Sequence, residues 1–89
     1  MRLAPSETLV LTLLSARGPR YGLELVGASR GRLKRGGIYV TLGRMEEKGL
    51  VVSLAAESGR RRYRPTALGE RALLASQVFA GRVRLATLT

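Results

Sequence analysis

Gly37-Ile-Tyr-Val-Thr-Leu-Gly-Arg-Met-Glu-Glu-Lys-Gly-Leu-Val51 is the stretch whose reading decides the fold. From Ile38 to Lys48 the residues Ile38, Tyr39, Leu42 and Met45 recur at helical spacing, while Thr41, Arg44, Glu47 and Lys48 turn elsewhere. That is the pattern of a short two-faced helix. Gly49 follows the last periodic residue, with Lys48 in the last turn, and glycine is the residue that enters the left-handed region cheaply. Leu50-Val-Val-Ser-Leu54 then reads as a strand. A helix bounded this way is presented to a partner, and the flanking segments indicate which one.

Downstream, Leu50–Leu54 and Arg61-Arg-Tyr-Arg-Pro65 flank a turn containing Ser58-Gly59, so the pair reads as a hairpin. Alternation places Leu50, Val52 and Leu54 on one face of the first strand, and sets Arg60, Arg62 and Arg64 opposite Arg61 and Tyr63 on the second. A tip bearing Arg60, Arg61 and Arg62 projects charge where no core needs it. A basic edge that blocks strand pairing is the plain alternative, usually met by one or two lysines. Phosphate or minor-groove contact suits arginine better. Thr66 caps a final helix beginning near Ala67, with one stripe of Leu68, Ala72, Leu73, Ala75 and Phe79 and a second of Leu74, Val78, Leu85 and Leu88. One small domain has no use for both stripes, so this helix is expected to pair two subunits, with Gly81 a potential kink or stop.

Upstream, Ser6 and Glu7 open a first helix through Ala16 with Ser6 as its cap and Leu9, Leu13 and Leu14 buried, and Arg17-Gly18-Pro19 ends it. A shorter second helix is expected from Arg20 or Tyr21 to Ala28, weakened by Gly22 and Gly27. Ser29-Arg-Gly-Arg-Leu-Lys-Arg-Gly36 carries four positive charges in eight residues directly before the third helix. It can be a solvated linker. Its position argues for more, because backbone N–H groups at a helix start favour phosphate and Arg32, Lys34 and Arg35 would strengthen that preference.

Sixteen Lys and Arg against six acidic residues give a net charge of +10. Fourteen of the sixteen are arginine, suited to bidentate phosphate and guanine contacts. The charge exceeds the magnitude of about 2–8 that solubility alone calls for. Nucleic acid leads as the partner, ahead of an anionic membrane surface. With no cysteine, no histidine and glutamate as the only carboxylate, the chain has little from which to build a metal site, a disulfide or acid–base catalysis, so neither an enzyme nor a cofactor is expected. No apolar run approaches the ~18–20 residues needed to span a bilayer, and the faint signal-like start is broken by Glu7 and Thr12, so a cytoplasmic protein is expected. Eighty-nine residues make one small domain burying roughly 60–65% of its unfolded surface, for which oligomerisation is a plausible support.

The order helix, helix, helix, strand, strand, helix defines the expected fold class: mainly α with a small β-hairpin (α+β), a winged helix-turn-helix. Residues 1–66 would form the DNA-binding domain and 67–89 a C-terminal dimerisation helix. The third helix would enter the major groove and the hairpin would reach the flanking backbone or minor groove. Thr41, Arg44 and Lys48 are the groove-facing candidates. Gly37 and Tyr39 in the first turn, Arg32, Lys34 and Arg35 before it, and Arg60, Arg61, Arg62 and Arg64 on the hairpin complete the DNA-binding set. Leu74, Val78, Phe79 and Leu85 are the dimerisation candidates.

The sequence also resembles the PadR family of bacterial transcriptional regulators. The similar pieces are Leu11–Leu14, Gly18-Pro19, Tyr21-Gly22-Leu23-Glu24-Leu25, Gly36-Gly37-Ile38-Tyr39, Leu42-Gly43-Arg44-Met45-Glu46-Glu47-Lys48-Gly49-Leu50-Val51 and Gly59 to Gly69, together spanning about Val10 to Leu73. The ordered set with its spacings carries the resemblance rather than any one piece. It implies a homodimeric repressor on a palindromic promoter site, with the C-terminal helix dimerising and no catalytic residues. Where family members often carry Ser-Pro before the third helix and Thr after the glycine, this chain has Lys34-Arg35 and Gly37, which removes the expected cap. Its C-terminal region is short for the family.

A sequence-specific double-stranded DNA-binding regulator is therefore the leading expectation. The alternatives are a winged-helix module binding an acidic protein and a non-specific nucleic-acid binder. Single-strand recognition leans on aromatic stacking, for which Tyr21, Tyr39, Tyr63 and one Phe are a thin supply.

Overall fold

A computed structural model describes the backbone of residues 2–55 and 57–88, and the side chains as far as residue 78 apart from Glu57. The element order is α1 (Pro5–Arg17), β1 (Arg20–Tyr21), α2 (Gly22–Ala28), α3 (Ile38–Glu47), β2 (Val51–Ala55), a 3₁₀ turn (Glu57–Gly59), β3 (Arg61–Pro65) and α4 (Ala67–Leu88). The winged helix-turn-helix class holds. The hairpin, however, is two-thirds of a three-stranded antiparallel sheet in the order β1-β3-β2. Arg20 pairs with Tyr63 and Tyr21 with Arg62, so these residues leave the expected second helix and close one edge of β3. Helix α2 begins at Gly22 instead, and the Tyr21 amide donates to Glu24 Oε1 at 2.8 Å.

The start of α1 also differs from expectation. Its N-cap is Ala4, and Ser6 is already helical because Pro5, with its fixed φ, takes the first helical position. Glu7 replaces the serine cap, accepting the Ala4 amide at 2.9 Å. The apolar positions of α1 nearly encircle it, so periodicity could not select the inner face: Val10, Leu11 and Leu14 are buried, while Leu9 and Leu13 are half-buried.

Around α1 the core collects Leu25 from α2, Leu33 from the basic loop, Ile38, Leu42 and Met45 from α3, then Leu50, Val51, Tyr63 and Leu73. Burying such a side chain is worth about 1.5–3 kcal/mol. Leu33 anchors the basic loop, and Ser29 Oγ fixes it further by donating to the Val26 carbonyl (2.7 Å) and accepting the Leu33 amide (2.9 Å).

Helix α3 lacks a side-chain cap, as Gly37 implies. The Lys34 carbonyl compensates, accepting the amides of Gly37 (3.1 Å) and Ile38 (3.0 Å). At the other end Gly49 (φ 75°) donates to the Glu46 carbonyl and Leu50 to the Met45 carbonyl, both at 2.9 Å, which is the Schellman pairing. Leu50 is thereby part of the helix stop, and β2 starts one residue later than expected. The inward residue of β2 is Val51, not Val52 or Leu54, which are half-buried on the other face. Ser53 opposes Tyr63 and Leu54 opposes Arg62, so Tyr63 is the buried residue of β3, while Arg60 lies outside the strand.

Thr66 caps α4 by accepting the Gly69 amide at 3.0 Å, donates to the Gly49 carbonyl, and its amide reaches the Leu50 carbonyl at 3.0 Å. These bonds tie the start of α4 to the end of α3. Gly69 and Leu73 face the core, Ala72 is half-buried against it, and Leu68 and Ala75, assigned to the same stripe from sequence, are exposed. Leu74 and Val78 lie exposed on the far side. The side chains of Phe79 and Leu85 fall outside the described residues.

Candidate nucleic-acid interface

Ile38, Leu42 and Met45 turn inward, and this anchors the orientation of α3. At about 100° per residue, the line diametrically opposite passes through Val40 and Glu47, with Gly43 and Arg44 on either side. Tyr39 (54% exposed) and Val40 (56% exposed) both stand clear of the core, so Tyr39 does not belong to the buried face its spacing suggested. Thr41 is half-buried, and Arg44 and Lys48 are exposed on the side of α3 that faces α1.

On that side Lys48 Nζ donates to Glu7 Oε2 at 2.7 Å, across 41 residues of sequence. The Glu7 side chain is only 5% exposed. Burial pushes its carboxyl up, but hydrogen bonds from Lys48 and the Ala4 amide, together with the charges of Lys48 and Arg44, outweigh burial and hold it below the ordinary carboxylate range. The Lys48 ammonium is thus held against α1 instead of extending outward. Lys48→Met should cost about 1–3 kcal/mol at neutral pH, because it leaves a buried carboxylate short of a donor. The pairing stabilises the fold above the ordinary carboxylate value, and this contribution is lost as pH falls through the lowered folded value. Urea unfolding of parent and variant should therefore diverge at pH 7 and converge in acid.

Arg32 lies on the same flank beside Pro5, Ser6 and Leu9, and Lys34 and Arg35 are exposed where the loop enters α3. On the opposite flank, Tyr39 packs on Gly22: a Cβ added there would fall 2.9 Å from Tyr39 Cε1. Tyr39 also lines a cleft of about 280 Å³ with Tyr21, Gly59, Arg60, Arg61 and Tyr63. The Arg60 guanidinium sits 4.0 Å over the Tyr21 ring and that of Arg62 5.2 Å from it, within cation–π range. Strand β1 therefore has a use beyond pairing, since it supplies the ring that gathers two wing arginines. Arg61 reaches Ser53 Oγ at 3.4 Å, and Ser53 donates to Glu46 Oε2 at 3.1 Å, which links the wing to α3. Burial, with Glu46 nearby, pushes the Tyr63 phenol up. Arg64 opposes Val52, away from the tip, and is not gathered with the others.

The structure thus brings Tyr39, Arg60 and Arg61 together on one flank of α3 and Arg32 and Arg44 on the other, and pairs Lys48 with a carboxylate. Reading the sequence did not place Val40 on the outward face, and it turned Glu47 outward without including it among the contacts, although counting from Ile38, Leu42 and Met45 sets both opposite the core. It also missed Tyr21 and the pairing of Glu7 with Lys48, for which no local signal exists. Among the described residues no group of acidic side chains could hold a metal ion, and no helix is long and apolar enough to cross a membrane.

A three-helix core presenting α3 beside an arginine wing is the DNA-binding unit of winged helix-turn-helix transcriptional regulators. Residues 10–75 match the Transcriptional regulator PadR-like family, and the chain belongs to it. A PadR family transcription regulator from hypervirulent Clostridium difficile R20291 is 30% identical, with a TM-score of 0.71 over 93% of this chain and 97% of that one. The fold is also similar to that of the PcaV transcriptional regulator from Streptomyces coelicolor in complex with its natural ligand (TM-score 0.82, 23% identity, 97% of this chain). It is likewise similar to that of the repressor CouR bound to a 23-mer DNA duplex (TM-score 0.81, 24% identity, 98% of this chain). The chain spans 61% of the length of PcaV and 63% of that of CouR, and at these identities the likeness concerns the fold. No curated protein matches the sequence. The family is one of transcriptional regulators, not of enzymes.

Proposed function

We propose that the chain is a cytoplasmic, sequence-specific repressor that binds a palindromic double-stranded DNA site as a homodimer. The observation that carries this reading is the outer face of α3, exposed between two basic flanks. In the major groove Arg44 reads a guanine edge, with Thr41 beside it and Gly37 and Tyr39 at the groove entrance. Arg32, Lys34 and Arg35 meet phosphates on the α1 side, and Arg60, Arg61 and Arg62 meet the backbone or minor groove on the wing side, with Arg64 as an outlying contact. Lys48 acts through Glu7, holding α3 to α1. Leu74 and Val78 lie exposed on one side of α4, which suits a twofold helix pairing; Phe79 and Leu85 are further dimerisation candidates from the sequence pattern alone. The CouR complex supports the reading as a fold relative bound to a duplex.

The test begins with enrichment of duplexes from a random-core library. The chain should enrich a site with two inverted half-sites and bind it well above a scrambled duplex. Arg44→Ala should remove about 1–3 kcal/mol of that discrimination. If no duplex is bound even at low salt, the fold serves an acidic protein partner instead.

A further inference from the structure

Resting on the DNA-binding reading, we propose that Val40 and Glu47 are specificity residues of α3, Val40 packing on a thymine methyl group and Glu47 accepting from the amino group of a cytosine. Both lie on the line opposite the buried Ile38, Leu42 and Met45, whereas the Thr41–Lys48 edge is rotated toward α1 and Lys48 is held there by Glu7. They are therefore the side chains most directly presented by the helix.

The chemistry of each follows from its exposure. Val40 is 56% exposed. A duplex offers one apolar group in the major groove, the thymine 5-methyl. Glu47 is exposed on the same line. A carboxylate facing a polyanion is repelled unless it meets a base-edge donor, and cytosine N4 is the donor suited to a glutamate, so Glu47 rejects other bases more than it adds affinity. Between the two, a Cβ added at Gly43 would meet nothing within 4 Å, and its absence lets the helix backbone approach the base edges closely. Seven residues separate Val40 from Glu47, a rise of about 10 Å or roughly three base steps, so both can reach one half-site.

The duplex enriched by the wild-type chain is the probe. Each thymine is replaced in turn by deoxyuridine, which lacks only the methyl group. One position per half-site should lose about fourfold in affinity, the worth of one buried methyl. The same replacement should have no effect on a Val40→Ala chain. Glu47→Gln should bind scrambled duplex more tightly and lose its preference for cytosine about three steps from that thymine. The inference is overturned if no replacement weakens binding, if the loss persists in Val40→Ala, or if Glu47→Gln keeps its cytosine preference. Failure to enrich any duplex would instead overturn the DNA-binding reading, and this inference with it.

Discussion

Gly69→Ala is expected to lower the melting temperature by roughly 12–24 °C, the shift that corresponds to about 3 kcal/mol in a domain of this size. A Cβ at this position would lie 2.1 Å from the Leu50 carbonyl oxygen and 3.1 Å from Leu11 Cδ2. The first obstacle is backbone, so no rotamer change relieves it. The Leu50 carbonyl also accepts the Thr66 amide at 3.0 Å, which means that α4 can make room only by lifting away from its own cap. Leu73, 6% exposed, would leave the core with it. A thermal melt followed by circular dichroism measures the effect. Gly27→Ala is the control, because a Cβ there meets nothing within 4 Å. That helical substitution should be neutral or stabilising. An unchanged melting temperature in Gly69→Ala would mean that α4 does not pack against Leu50 as described.

Affinity for the enriched duplex should fall roughly a thousandfold or more between 50 and 200 mM salt. The net charge of +10 is carried mostly by arginines. Among the described residues only Arg20 and Lys48 form ion pairs with a carboxylate, at 3.7 and 2.7 Å. If each subunit neutralises about three to four phosphates, a dimer releases enough counterions for a slope near −6 in log K against log[salt]. Replacing Arg61 or Arg62 should flatten that slope and weaken enriched and scrambled duplexes alike. Half the slope would indicate that a monomer binds. Lys48 is expected to contribute little to it, since Glu7 already holds its charge.

The bounds of α3 were legible because each signal is local. Three core residues at helical spacing and a glycine stop are properties of about a dozen consecutive residues. The arginine hairpin and the Thr66 cap could be read for the same reason. Which face of β2 turns inward could not, because alternation groups Val52 with Leu54 without orienting them, and Leu50, buried as part of the helix stop, leaves Val51 as the buried residue of the strand. Nor could β1, since two residues become a strand only where β3 lies beside them. Among the candidate contacts, Arg60 and Arg62 are gathered over the Tyr21 ring of β1, and Arg60 and Arg61 line one cleft with Tyr39 of α3 and Tyr63 of β3. Charge counting could not distinguish these arginines from Arg64, which lies farther along β3, opposite Val52.

What the sequence determined by itself was the winged helix-turn-helix class, its basic character and the helix offered outward, because periodicity, caps and composition act over short distances. The tertiary structure alone decided which of that helix's charges remain available. The pairing of Glu7 with Lys48 across 41 residues is the physical reason. It arises only when α1 and α3 pack together, and burial of the carboxylate obliges Lys48 to stay.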